Sequence, residues 1–426
     1  MKLILRIVSY LALLGLGFAL LQLPRPLAPE QLGAIEATAS VDPMPLGAYC
    51  PGPLAEVGGE QGTDLGSIER VGKATFNLWG AEAQAQENGG LFLSVEGEEQ
   101  STKLLSANQT QAVSRDRLSG LAASYCPMPQ VSGYFIVGDS GPGSESVLHL
   151  ANPNDVDLMV DLELVLESEV ATDRISLAAG EHKLLSLVGL SSAESSFALL
   201  YQTSGLPVAA FMQLREVSGL SATGVALVPP TKPVATGAIA GLVVAENAIK
   251  APILRVFNPG LEDVELNLQA INSTDFDLIQ IRVPAGVMLE QELNLPAGVN
   301  LITFEAASDL VLSVRNDVIS PKVDFEWLMP APAFERDLYL QSPGSTDLVI
   351  ANPGLEAINL VIESSISQAV SVPARSSLVI PIDRGALKIA GSGFMASLNL
   401  LSPAGYAVIQ PTEMRNIGES IRVFVR

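Results

Sequence analysis

Leu150-Ala151-Asn152-Pro153-Asn154, Val256-Phe257-Asn258-Pro259-Gly260 and Ile350-Ala351-Asn352-Pro353-Gly354 are three renderings of one device, an apolar strand that stops at Asn-Pro and then restarts. Proline cannot donate to a β-ladder and biases the residue before it to extended geometry, so it ends the strand. Asparagine can accept a bond from its own turn, and Gly260 or Gly354 tolerates a positive φ. The recurrences lie roughly a hundred residues apart, too far for a solenoid and right for one small β-sandwich each. Asn152, Pro153, Asn258, Pro259, Gly260, Asn352, Pro353 and Gly354 are therefore read as structural repeat turns and not as ligands.

The segment after each turn alternates. Val156, Leu158, Val160, Leu162, Leu164 and Leu166 are apolar, with Asp157, Asp161 and Glu163 between them; Val264, Leu266, Leu268 and Ala270 repeat the pattern, as do Leu360 and Ile362 with Ile358. Period two means a strand with one buried face. Ala178-Ala179-Gly180, Pro284-Ala285-Gly286 and Pro373-Ala374-Arg375 mark a second shared turn, closer to its Asn-Pro in the third copy, which predicts a shortened hairpin there. Phe197–Tyr201, Leu301–Phe304 and Phe394–Leu398 read as one late strand, followed by a last one at Val208–Met212, Leu310–Val314 and Tyr406–Ile409. Short strands separated by Gly/Pro turns give an all-β chain of tandem immunoglobulin-like antiparallel β-sandwich modules.

Proline-rich joints at Val228-Pro229-Pro230 and Met329-Pro330-Ala331-Pro332 divide these modules into residues 131–229, 234–328 and 332–426. Residues 46–130 alternate less and read as a β-rich cap. Each sandwich is expected to bury its own strands and to melt independently of its neighbours.

With 426 residues, 48% of them hydrophobic, the chain can bury several cores. Net charge is −22, from 46 acidic against 24 basic residues, which excludes nucleic acid as a partner. The acids are scattered as solvated faces, and no Asp-x-Asp-x-Asp-Gly cation loop appears. Lys2 and Arg6 precede an apolar run from Ile7 to Leu23, about long enough to span a bilayer as a helix. Residues 1–23 read as an uncleaved membrane anchor and 24–45 as a tether, with the bulk outside the cytoplasm. A cleaved signal is the alternative, since Ala37-Thr38-Ala39 offers a site, though far beyond the run.

The two cysteines, Cys50 and Cys126, sit in matching Cys-Pro contexts, and outside the cytoplasm an even count implies a bridge. Closing such a loop stabilises by about 4 kcal/mol through chain entropy. Two free thiols, or a metal site completed by His149 and His182, are the other readings.

Gly138-Asp139-Ser140-Gly141-Pro142 copies the nucleophile segment of trypsin-like proteases, but both histidines lie downstream of Ser140, against the order of that triad. A hairpin turn is the plainer reading. His149, between core-facing Leu148 and Leu150, is expected at the surface, as is His182. No catalytic, cofactor-binding or metal-ligating set emerges, and no cofactor is expected. Asn108-Gln109-Thr110 and Asn272-Ser273-Thr274 are glycosylation sequons of low specificity.

With Cys50-Pro51-Gly52-Pro53, Cys126-Pro127, Ile136-Val137-Gly138 and Leu148–Pro153 in place, the chain resembles an actinobacterial envelope family of unknown function. The resemblance runs from Tyr49 to Ile409. It departs at Tyr134-Phe135, where a tryptophan-rich strand is expected, and at the short third repeat. It implies anchored or secreted proteins, often encoded beside a membrane glycosyltransferase, and brings no catalytic residues. The expected function is a membrane-anchored, extracytoplasmic, non-catalytic scaffold in envelope biogenesis, its partner an envelope protein such as that glycosyltransferase. A module binding cell-wall glycan is the alternative, with Trp79 and Trp327 as its few platforms; a hydrolase is third.

Overall fold

The computed structural model describes residues 35–40, 46–58, 64–80, 82–85, 89–95, 104–167, 169–190, 196–246, 248, 250–272, 276–319, 321–412, 414–415 and 420–425. They fall into two units, one of residues 44–416 and one drawn from residues 1–43 and 417–426. In the smaller unit Ile35–Ser40 pairs antiparallel with Ser420–Val425. The tether read over 24–45 thus contains a strand, because β-prone Ile421-Arg422-Val423-Phe424-Val425 supplies a partner from the far end of the chain. The anchor read over 1–23 lies outside the described residues. Among the described residues no helix is long and apolar enough to cross a membrane.

The larger unit is all β. Among the described residues the first sandwich has eight strands: Ser132–Gly138, Ser144–Ala151, Leu158–Val165, Val170–Leu177, His182–Ser186, Phe197–Thr203, Ala209–Ser218 and Ser221–Val228. They form two antiparallel sheets, ordered first-sixth-third-fourth and fifth-second-seventh-eighth. Phe135, Leu150, Leu162, Leu199 and Met212, drawn from both sheets, meet in one core. The second and third strands pair with the fifth and sixth as B pairs with E and C with F in an immunoglobulin fold. The outer places are exchanged, the first strand lying beside the sixth and the seventh beside the second.

The other two sandwiches repeat this order. In the second, Val234–Val244, Ile253–Phe257, Val264–Ile271, Phe276–Val283 and Met288–Glu292 precede one long strand, Gly298–Val318, which serves as both sixth and seventh; Asp324–Leu328 is the eighth. No glycine or proline interrupts residues 299–318, whereas Gly205 and Pro207 break the first sandwich at this point and Gly391 and Gly393 the third. The third comprises Leu338–Ser342, Thr346–Asn352, Ile358–Glu363, Ser367–Val372, Ser376–Ile382, Gly385–Ala390, Met395–Ser402 and Gly405–Ile409. Its third and fourth strands are 6 residues each, against 8 in the other copies.

The third sandwich differs from the sequence expectation by one strand. Phe394–Leu398 belongs to the seventh strand of the third sandwich, and Gly385–Ala390 is its sixth; the shortened hairpin displaced the count. The chain leaves this sandwich after Ile409, short of the expected boundary at 426, and Met414–Arg415 returns to pair with Leu104–Leu105 of the cap.

The cap contributes Leu46–Cys50, Leu54–Gly58, Asp64–Val71, Thr75–Trp79, Glu82–Ala85, Leu91–Val95, Leu104–Ser114 and Ser119–Tyr125. Cys50 and Cys126 are joined in a fully buried disulfide. The cap's last two strands form a hairpin like the seventh and eighth strands of a sandwich.

These four last strands tie the modules into a closed ring. Phe325, Trp327 and Met329 of the second sandwich pack into the core of the first. Tyr406 and Val408 of the third enter the core of the second. Leu121 and Ala123 of the cap enter the core of the third, and Val225 and Leu227 of the first enter the core of the cap. The alternate residues Ala226, Leu328 and Ala407 stay in their own cores. Period two thus lets one strand complete two cores. The independent modules expected from sequence are replaced by cores that each borrow a neighbour's strand.

Candidate functional site

At each last strand one edge pairs with the strand before it, and the other would offer open N–H groups. Register places Gly120, Gly224, Asp324 and Gly405 at equivalent positions in the four modules. The next residue's N–H in every case donates to the Asp324 carboxylate: Val225 at 3.0 Å and Phe325 at 3.1 Å to Oδ1, Leu121 at 2.8 Å and Tyr406 at 3.1 Å to Oδ2. One side chain therefore satisfies one backbone donor from each module, in the manner of an anion nest.

The glycines make room for it. A Cβ on Gly405 would lie 1.9 Å from Asp324 Oδ2, one on Gly224 2.7 Å from Oδ1, and one on Gly120 2.9 Å from either oxygen. Their φ values of 150°, 156° and 153° also disfavour side chains. Burial lifts the Asp324 carboxyl to about 7, opposed by the four N–H donors. Two residues on, Glu326 accepts from Trp327 N at 3.0 Å and Val408 N at 3.4 Å. Burial, reinforced by the charge of Asp324, pushes its carboxyl well above the usual range against these two donors.

The seams around this centre are closed by polar side chains. Gln213 exchanges two bonds with the Ala55 backbone of the cap, at 2.7 and 2.6 Å. Arg315 forks onto Glu216 and Asp317 while stacking on Phe325. Arg255 lies over the Trp327 ring, donates to Gly138 O at 2.7 Å and pairs with Glu290. Asn399 donates to Gly241 O at 2.8 Å, and Asn108 to Gln341 O at 2.9 Å.

Both histidines belong to the seam between the cap and the first sandwich. His149, expected at the surface, is 1% exposed. Its strand is central in the sheet, with the sandwich core on one face and the cap on the other, so alternation revealed only half of its burial. His149 Nε2 lies 3.3 Å from Gln213 Oε1, and His182 Nδ1 lies 2.7 Å from Tyr49 Oη and 2.8 Å from an Arg70 nitrogen. Burial, together with the Arg70 charge, lowers His149 to about 3; burial, then His149 and Arg70, lowers His182 to about 2. Both rings stay neutral at physiological pH.

The repeat turns are built by asparagine. Asn258 Nδ2 donates to Glu262 O and Val283 O while its Oδ1 accepts from Gly260 N at 2.9 Å; Asn352 does the same with Glu356 O, Val372 O, Pro373 O and Gly354 N. Asn152 accepts from Asn154 N. Pro153, Pro259 and Pro353 follow, each directly before the bend. Asp139–Gly141 is a turn closed by Gly141 N on Asp139 Oδ1, between the first two strands of its sandwich. Among the described residues no group of three or more His, Cys, Asp or Glu could hold a metal ion. Trp327 is buried, and Trp79 is half-buried against Tyr339, ring centroids 5.6 Å apart. The sequon residue Asn108 is buried.

Asp324 and Glu326 escaped the sequence reading. The available signal was the series Ser119-Gly120-Leu121-Ala122, Thr223-Gly224-Val225-Ala226 and Ala404-Gly405-Tyr406-Ala407, against which Val323-Asp324-Phe325-Glu326 is the odd member.

The arrangement defines a closed assembly of β-sandwich modules. DUF5719, a family of unknown function, matches residues 80–382, and the chain belongs to that family. No curated protein matches the chain. Among solved structures, the chicken CNTN1 FN1-FN3 domains align at 9% identity over 68% of this chain and 99% of that one, with a TM-score of 0.10.

Proposed function

We propose that this protein is a non-catalytic scaffold working outside the cytoplasm, held to the membrane by residues 1–23 and organising an envelope protein such as a membrane glycosyltransferase. The observation that carries this reading is how the chemically versatile side chains are used. His149, His182, Asp324, Glu326, Arg255 and Arg315 each bridge modules or brace a seam, which suits a rigid support. The disulfide fits an oxidising compartment. Crosslinking in the native membrane followed by purification tests the reading: a membrane-bound envelope enzyme should copurify, and recovery of none overturns it. A phosphatase reporter fused at Pro45 should be active; an inactive one would reverse the topology.

A second reading, binding of cell-wall glycan, rests on the half-exposed Trp79–Tyr339 pair at the seam of cap and third sandwich. With Trp327 buried, quenching of tryptophan fluorescence by cell-wall oligosaccharides, lost in Trp79→Phe, would support it; an unchanged spectrum would remove it.

A further inference from the structure

Leu261 is 98% exposed and Leu355 76%. Each follows Asn-Pro-Gly, and each is followed by an exposed acid, Glu262 or Glu356. The two turns occupy the same place on adjacent sandwiches, after the second strand, and are held by the same asparagine bonds, none of which uses the leucine side chain. The fold therefore gives no reason for a leucine here. In the first sandwich Asp155 fills the corresponding place, and in the cap Pro53 of Cys50-Pro51-Gly52-Pro53, half-buried, does so. Leu220 is 96% exposed too, but its turn is not repeated.

We propose that Leu261 and Leu355 are paired docking knobs that enter apolar sockets, edged by Lys or Arg, on a protein partner. This deepens the scaffold reading and rests on it. The neighbouring acids and a net charge of −22 oppose an anionic lipid surface and favour a basic rim. Both turns follow the second strand of their sandwich, and the two sandwiches are direct neighbours, the third filling part of the second's core, so one partner can engage both. Two linked contacts bind far more tightly than either alone.

The test places a photo-crosslinking residue at position 261, 355 or 155 of the full-length, membrane-bound protein. Positions 261 and 355 should trap the same polypeptide and position 155 should not. That polypeptide, purified, should bind the parent protein at least tenfold more tightly than the Leu261→Ser/Leu355→Ser double variant, with affinity falling as salt rises. Both leucines are exposed, so the variant should keep the parent's unfolding temperature. If a partner copurifies but ignores positions 261 and 355, or binds the double variant equally, the docking proposal fails and the scaffold stands. If lipid is trapped, the proposal also fails. If no partner copurifies at all, both readings fall together.

Discussion

One carboxylate joins four modules, and the residues around it predict which substitutions the ring tolerates. Gly405→Ala would push a Cβ to 1.9 Å from Asp324 Oδ2 and 2.8 Å from Leu121 N, where the obstacle includes backbone. It should cost several kcal/mol, beyond an ordinary overpacked core site. Gly286→Ala, at an exposed turn with φ 70° and nothing within 4 Å, should cost only about 1 kcal/mol. Denaturant midpoints of the two variants decide; equal losses would mean that Gly405 matters only for its backbone. Asp324 itself should shape the pH dependence. Its carboxyl is raised to about 7 in the folded chain, from an ordinary 3.8. Between these values the folded state binds the extra proton, so this group's stabilising contribution is full below about 4 and is lost as pH rises through 7. Unfolding free energy should fall over that window, and the slope should flatten in Asp324→Asn, which also leaves backbone donors short of acceptors. A rise with pH would mean that the four N–H donors outweigh burial.

At the scale of the strand, alternation was legible because it is local. Leu158–Val165 shows its buried and exposed residues in strict turn, and Asn-Pro announces each bend. What alternation could not reveal is a second buried face, since that depends on partners elsewhere in the chain: His149 lies beneath the cap, and the last strands fill two cores at once. Asp324 and its Leu121 partner are 203 residues apart, and only their adjacency in the fold turns an isolated acid into a junction. The disulfide was predicted from context, but not the reach of its effect. Cys126 directly follows Ser119–Tyr125, whose Leu121 and Ala123 complete the third sandwich's core. Cys50→Ser should therefore remove about 4 kcal/mol and speed hydrogen exchange in Thr346–Asn352 of the third sandwich as well as in the cap. Acceleration restricted to residues 46–130 would show that the borrowed strand is dispensable.

At the scale of the molecule, each module lacks part of its core until its neighbour supplies a strand. Cap completes third sandwich, third completes second, second completes first, and first completes cap. The circle has no end from which to unravel, so residues 44–416 should behave as one cooperative unit despite holding four modules. Such closure fixes the spacing of the surface turns. Differential scanning calorimetry of the full-length protein tests this most directly. The account predicts one main transition whose van't Hoff and calorimetric enthalpies agree; separate transitions, each with the enthalpy of a domain of roughly a hundred residues, would contradict it.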